Sequence, residues 1–245
     1  MHTRVSVRVL SLLFLSACGG ADTPDTTPAG GYPDAVSADA AHYAVAFENG
    51  AIRVLRITYG AGETSVMHGH PESCAIALAG GEFTMHLPDG TTVEESLAPG
   101  EVECYPAGAH RPENTSASGG EVILVELKDG ATAGTAAMPA EPPATEADPG
   151  HYTVEVDNAV YRLVRVRYGA GEASVMHRHP AHCIVYLSTA RSVTFRLPDG
   201  ETVDGPSGEL GDVTCVDAAS HLPTNTSDTP LEVMLIELKG RATAS

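Results

Sequence analysis

Apolar and polar residues alternate in short runs along most of this chain. Phe83, Met85 and Leu87 alternate with Thr84 and His86, and Val193, Phe195 and Leu197 repeat the pattern further on. Leu55, Ile57 and Tyr59 do the same, matched by Val164, Val166 and Tyr168. A period of two is that of a strand with one face buried. Gly-rich or Pro-Asp-Gly turns separate the runs at intervals suited to an antiparallel sandwich or barrel. No stretch inside the patterned regions sustains a 3.6-residue apolar period, so the predicted fold class is all-β.

The pattern is written twice. HYAVAFENGAIRVLRITYGAGETSVMHGHPESC at 42–74 aligns without a gap with HYTVEVDNAVYRLVRVRYGAGEASVMHRHPAHC at 151–183. LPDG at 87–90 recurs at 197–200, and VELK at 125–128 recurs as IELK at 236–239. Two copies of roughly ninety residues are two domains, placed at 42–128 and 151–241, because a solenoid needs more and shorter units. Between them, residues 129–150 are rich in Pro, Ala and Thr and read as a flexible linker.

The N-terminus carries a targeting pattern. Arg4 and Arg8 precede VLSLLFLSA, an apolar run too short to span a bilayer. It ends in Leu15-Ser16-Ala17-Cys18, which resembles the lipobox of bacterial lipoproteins. The resemblance implies a signal peptide at 1–17, lipidation of Cys18, and a disordered tether at 18–41. The protein is then membrane-anchored through its lipid on the extracytoplasmic (periplasmic) side. With Gly19 rather than Asp after the cysteine, the sorting habit of that family points to an outer membrane in a Gram-negative host.

Charge and composition exclude some partners. Lys+Arg 14 against Asp+Glu 32 gives −18, which phosphate backbones repel, so no nucleic acid is expected. Without Trp, and with 5% aromatics, neither a base-stacking platform nor an aromatic cage is indicated.

The chemistry is concentrated in VMHGHPESC at 66–74 and VMHRHPAHC at 175–183. His68 and His70 are two apart on a strand and share a face, as do His177 and His179. Cys74 and Cys183 have the same parity if the strand continues regularly past the proline. A third histidine, His110 or His221, comes late in each copy. Two imidazoles from one strand and a third from another can converge on a divalent transition metal, Fe, Mn, Zn, Cu or Ni.

These residues resemble the cupin family, whose first motif is G-x5-H-x-H-x3/4-E-x6-G and whose second is G-x5-P-x-G-x2-H-x3-N. The first copy gives Gly62-x5-His68-x-His70-x3-Cys74-x6-Gly81, then Gly100-x5-Pro106-x-Gly108-x-His110-x3-Asn114. The second gives Gly171-x5-His177-x-His179-x3-Cys183, then Gly211-x5-Asp217 with His221 and Asn225. The resemblance implies two tandem jelly-roll β-barrels, a bicupin, with a metal in each. The departures are equally specific. The glutamate ligand of the family is replaced by Cys74 and Cys183, one spacer residue is missing before His110, and the second copy lacks the Pro and Gly of the second motif and has Ala190 for the trailing glycine. The first copy is thus the more faithful, and the second is the one expected to have lost a function.

In a cupin-like barrel the strand carrying Cys104 or Cys215 lies beside the one carrying Cys74 or Cys183. Outside the cytoplasm this predicts disulfides Cys74–Cys104 and Cys183–Cys215. The competing reading makes Cys74 a thiolate ligand in place of the glutamate, which would leave Cys104 unpaired. Among the remaining candidates, His86 falls on the polar phase, Glu72 is solvated, and His182 sits one residue off the ligand parity and is not expected in the site. His42 and His151 mark the domain entrance beside Tyr43 and Tyr152. Asn114 and Asn225 read as turn residues within NTS.

The resemblance implies a non-haem metal oxygenase or isomerase acting on a small organic substrate. A non-catalytic ligand- or metal-binding lipoprotein is the alternative. A covalent tandem can satisfy the pairing habit of cupin barrels inside one chain, so a monomer with an internal pseudo-dimer is expected. No catalytic base is identifiable.

Overall fold

The computed structural model describes residues 31–241 and 243. The signal segment, Cys18 and the first part of the tether lie outside the described residues. Among the described residues no helix is long and apolar enough to cross a membrane. The chain divides into two compact units that change at Asp129/Gly130, apart from residues 45–56, which hydrogen-bond into the first copy's sheet.

The first copy opens with α1 (Ala35–Ala38) and continues as β1 (Tyr43–Glu48), β2 (Ile52–Tyr59), β3 (His68–His70), β4 (Ser73–Ala79), β5 (Gly81–His86), β6 (Thr92–Leu97), β7 (Val102–Tyr105), β8 (Gly108–Asn114) and β9 (Gly120–Leu127). A five-stranded sheet has the order β1-β2-β9-β4-β7 and a four-stranded sheet the order β3-β8-β5-β6. The second copy repeats this with α2 (Ala144–Ala147), β10 (Tyr152–Asp157), β11 (Tyr161–Tyr168), β12 (His177–His179), β13 (His182–Tyr186), β14 (Val193–Arg196), β15 (Thr202–Asp204), β16 (Val213–Val216), β17 (Ala219–Asn225) and β18 (Leu231–Leu238). Its sheets are β10-β11-β18-β13-β16 and β12-β17-β14-β15. Each copy is thus an all-β jelly roll of two antiparallel sheets.

β-Branched and aromatic residues in β2 and β11 suit a pleated surface. Ile52, Val54 and Leu55 are fully buried in the first copy, as are Leu163 and Val164 in the second. The interior of the second barrel is a cluster that includes Tyr152, Val166, Tyr168, Ile184, Tyr186, Val233 and Leu235, drawn from four strands of one sheet. Gly62 and Gly171 take φ of 73° and 72° in the YGAGE turns that lead toward the histidine strands, a conformation costly for any residue with a Cβ.

One feature of the path decides where side chains point. β3 lies in the four-stranded sheet and β4 in the five-stranded one, so the chain changes sheets at Pro71–Glu72. The second copy crosses at Pro180–Ala181. Proline has no N–H with which to continue a ladder, so it suits the end of a strand. Side-chain alternation restarts after the crossing, and parity counted from His70 does not carry through to Cys74. Cys74 sits directly opposite Cys104, and Cys183 opposite Cys215, on paired strands. Both pairs are disulfides, with Cα atoms 4.0 and 3.9 Å apart. That separation is shorter than the usual disulfide range and reflects the close approach of directly opposed antiparallel residues. The thiolate-ligand alternative is thereby corrected.

Parts of the segments whose composition reads as tether and linker are ordered. The Asp34 carboxylate caps α1 by accepting from Val36 N at 3.0 Å and Ser37 N at 3.3 Å. Gly69 N donates to the Pro33 carbonyl at 2.9 Å. In the second copy Arg178 N donates to the Pro142 carbonyl at 2.9 Å, and the Arg178 guanidinium donates to the Glu141 carbonyl at 2.7 Å. Such segments have no core of their own, but β3 and β12 are edge strands whose free backbone groups give them partners.

Candidate metal centre

β3 is only three residues long, and antiparallel pairing with β8 sets His110 directly opposite His68. His68 and His70 share a face by alternation, and the register brings His110 to the same face. In the second copy His177 is opposite His221 in the same way. His68, His70 and His110 offer ring nitrogens within 4.8 Å of one another, and so do His177, His179 and His221. The six histidines singled out by the motif therefore assemble as two separate triads, one inside each barrel.

The hydrogen bonds around each triad fix which nitrogens carry protons. His68 Nδ1 lies 2.8 Å from the Val66 carbonyl, and His70 Nδ1 lies 2.7 Å from a Glu126 carboxylate oxygen. Those oxygens only accept, so in neutral rings both protons sit on Nδ1 and both Nε2 atoms present lone pairs. The two Nε2 atoms are 3.0 Å apart. Lone pairs at that distance call for a positive charge between them. Burial, reinforced by His70, holds His68 down to about 4, and burial with both neighbouring imidazoles holds His110 to about 3. Three imidazoles whose ring nitrogens face one another are a donor set that fits a metal cation.

The second triad repeats the arrangement. His177 Nδ1 donates to Val175 O at 2.8 Å, His179 Nδ1 donates to Glu237 at 2.9 Å, and the two Nε2 atoms are 3.0 Å apart. Burial lowers His177, puts His179 well below its ordinary value, and takes His221 to about 2. The Tyr152 hydroxyl adds a contact, 3.1 Å from His177 Nε2 and 2.8 Å from the Tyr168 hydroxyl. In the first copy the Tyr43 hydroxyl bonds that of Tyr59 at 2.8 Å, with the Tyr43 ring edge-on to His68.

Three elements of the site were not anticipated from sequence. Glu126 and Glu237 are almost wholly buried and orient His70 and His179 from behind, as carboxylates behind metal-binding imidazoles do. Their signal was a carboxylate inside the apolar runs VILVEL and VMLIEL, present in both copies. Glu237 also receives Arg162 at 2.6 Å. The third is His182, a correction to the expectation that parity keeps it out. After the sheet crossing His182 faces inward, buried, with its ring centroid 5.0 Å from that of His179. Its counterpart in the first copy is Ser73.

The remaining candidates fall elsewhere. His42 bonds Asp39 at 2.7 Å and stacks on Tyr59 at 4.3 Å, and His151 does the same with Asp148 and Tyr168, pinning each short helix to its barrel. His86 is half-buried and bonds Glu113 away from the triad. Asn114 and Asn225, read from sequence as turn residues, are buried at the ends of β8 and β17, where their amides donate to Gly60 and Ser118, and to Gly169 and Thr229.

No family model matches the sequence, and no curated protein is significantly similar to it. Solved structures are. A variant of oxalate decarboxylase from Bacillus subtilis is 14% identical, over 82% of this chain and 76% of that one, with a TM-score of 0.52. AerE from Microcystis aeruginosa is 15% identical, over 76% of this chain and 87% of that one, with a TM-score of 0.51. A cupin domain from Bordetella pertussis is 21% identical over 40% of this chain and 96% of its own length, with a TM-score of 0.34. With its two jelly rolls in tandem, the chain has the bicupin fold.

Proposed function

We propose that this protein is a metal-dependent bicupin that receives small organic molecules, with one divalent transition metal per barrel. His68, His70 and His110 would hold one ion, and His177, His179 and His221 the other. The observation that carries this reading is the pair of opposed Nε2 lone pairs, 3.0 Å apart in each copy, with both Nδ1 protons committed elsewhere. The oxalate decarboxylase of Bacillus subtilis, which shares the fold, has Mn(II) centres and supports a divalent metal here. A metal so held would supply Lewis-acid or redox chemistry at an open coordination position. The protein's own part is to orient the imidazoles through Glu126 and Glu237 and to keep water from the apolar walls.

Elemental analysis of the mature protein, purified and then loaded with Mn, Fe, Ni, Cu or Zn, is expected to find two ions per chain. Failure to retain any of these metals after removal of excess would overturn the reading. Turnover of a panel of small organic acids and phenols by the loaded protein tests for an oxygenase or isomerase. One observation favours the non-catalytic alternative: Glu126 and Glu237 lie behind their histidines, so neither is placed as a base over the ion. Metal retention without turnover would select it.

The resemblance to a lipobox supports attachment through lipid on Cys18, facing the extracytoplasmic side. Metabolic labelling with palmitate, expected to be lost in Cys18→Ala, tests the anchor.

A further inference from the structure

The second barrel holds a cavity of about 60 Å³ next to its triad. That is room for about four to six water molecules. Its walls are almost wholly apolar, with rings from Tyr168, Tyr186 and Phe195, and it has no Asp, Glu, Lys or Arg in its lining. The polar groups that reach it are mostly committed. The Tyr152 and Tyr168 hydroxyls bond each other, and the Asn225 amide serves backbone carbonyls. His179 and His221 belong to the triad.

The Tyr186 hydroxyl has no partner either, but it is fully enclosed and does not open onto the cavity; His182 is the exception that does. Its Nδ1 lies 2.8 Å from the Pro180 carbonyl, which can only accept, so the neutral ring carries its proton there. Nε2 is left with a lone pair and makes no hydrogen bond among the described residues. The ring lines the cavity beside His179 and His221. A buried acceptor held in one tautomer by its own strand recognises a donor.

We infer that the second barrel's cavity takes a small molecule with an uncharged, apolar body and one hydroxyl or N–H group, whose proton His182 Nε2 receives in a hydrogen bond. The walls fit the ring of a simple phenol, and with no charged side chain in the lining a charged group placed away from the triad would go unpartnered. The first barrel is not equivalent, since Ser73 occupies the place of His182. The inference rests on the metal reading to the extent that the metal occupies His177, His179 and His221, leaving His182 as the free acceptor.

Calorimetric titration of the zinc-loaded full-length mature protein with phenol and toluene tests this. Phenol is expected to bind at one site per chain, about tenfold more tightly than toluene. His182→Ser, which reproduces the first copy's own residue, should remove the preference for phenol while two zinc ions remain bound. His182→Gln, whose amide oxygen still accepts, should restore part of it. Equal binding of phenol and toluene, no phenol binding at all, or a phenol preference unchanged in His182→Ser would each overturn the inference. Zinc stoichiometry, read separately, distinguishes this outcome from failure of the metal reading: a protein that binds no zinc but keeps a His182-dependent phenol preference supports the cavity and removes the metal.

Discussion

The two barrels hold the same three imidazoles and line them with different walls. On the strand that follows the sheet crossing, the first barrel has Ser73, Ala75 and Ala77 where the second has His182, Ile184 and Tyr186. Gly120 faces Leu231 across the comparison, and Phe83 faces Val193. In the first barrel Phe83 closes against Gly81 and Gly120, whose missing Cβ atoms make room for the ring. In the second barrel the bulk has moved to Tyr186, which packs against Gly208, and to Phe195, which stacks on His221 at 4.1 Å. Duplication has preserved what an ion requires and exchanged what a ligand would touch. The walls differ between the copies, whereas the second triad keeps the geometry of the first.

The comparison can be broken most severely at the ligands. His70→Ala and His179→Ala should each abolish one ion and leave the other, lowering stoichiometry from two to one as read by elemental analysis. Loss of both ions in either variant would mean that the sites are coupled rather than duplicated.

Removal of the disulfides is next in size. They close loops of 30 and 32 residues, so each should contribute about 3–4 kcal/mol on the loop-entropy model, and nearly equally. Urea melts of Cys74→Ala/Cys104→Ala and Cys183→Ala/Cys215→Ala check this. Both variants should keep two metal ions, because the disulfides sit on the opposite side of their strand from the barrel interior.

Glu126→Gln and Glu237→Gln should weaken their own site by roughly 10–100-fold, since each removes the carboxylate that orients one imidazole. Competition with a chelator would show it. Glu237→Gln also removes the carboxylate that pairs with Arg162. The smallest effect belongs to Tyr186→Phe. The buried hydroxyl has no partner in good hydrogen-bond geometry, so its removal should change stability by less than about 1 kcal/mol.

Much of this was legible beforehand. A period of two, interrupted by glycine and Pro-Asp-Gly turns, specifies strands because alternation is a property of the extended backbone itself. The repetition specifies two barrels, and the spacing of His68, His70 and His110 specifies a shared face. What could not be read was the consequence of Pro71 and Pro180. Local sequence marks each as the end of a strand, but which sheet the next strand joins depends on partners far along the chain. That crossing sends Cys74 outward and His182 inward, reversing the placement that counting residues gave. Glu126 and Glu237 were visible as charges in apolar runs, yet only the pairing of β9 with β4 and of β18 with β13 puts them behind a particular imidazole. The sequence by itself determined the strands, the duplication and the metal-binding residue types, since these follow from local backbone geometry and side-chain chemistry. The tertiary structure alone decided which residues face the histidine triad, the disulfide or the cavity, because facing is set by long-range pairing of strands distant in sequence.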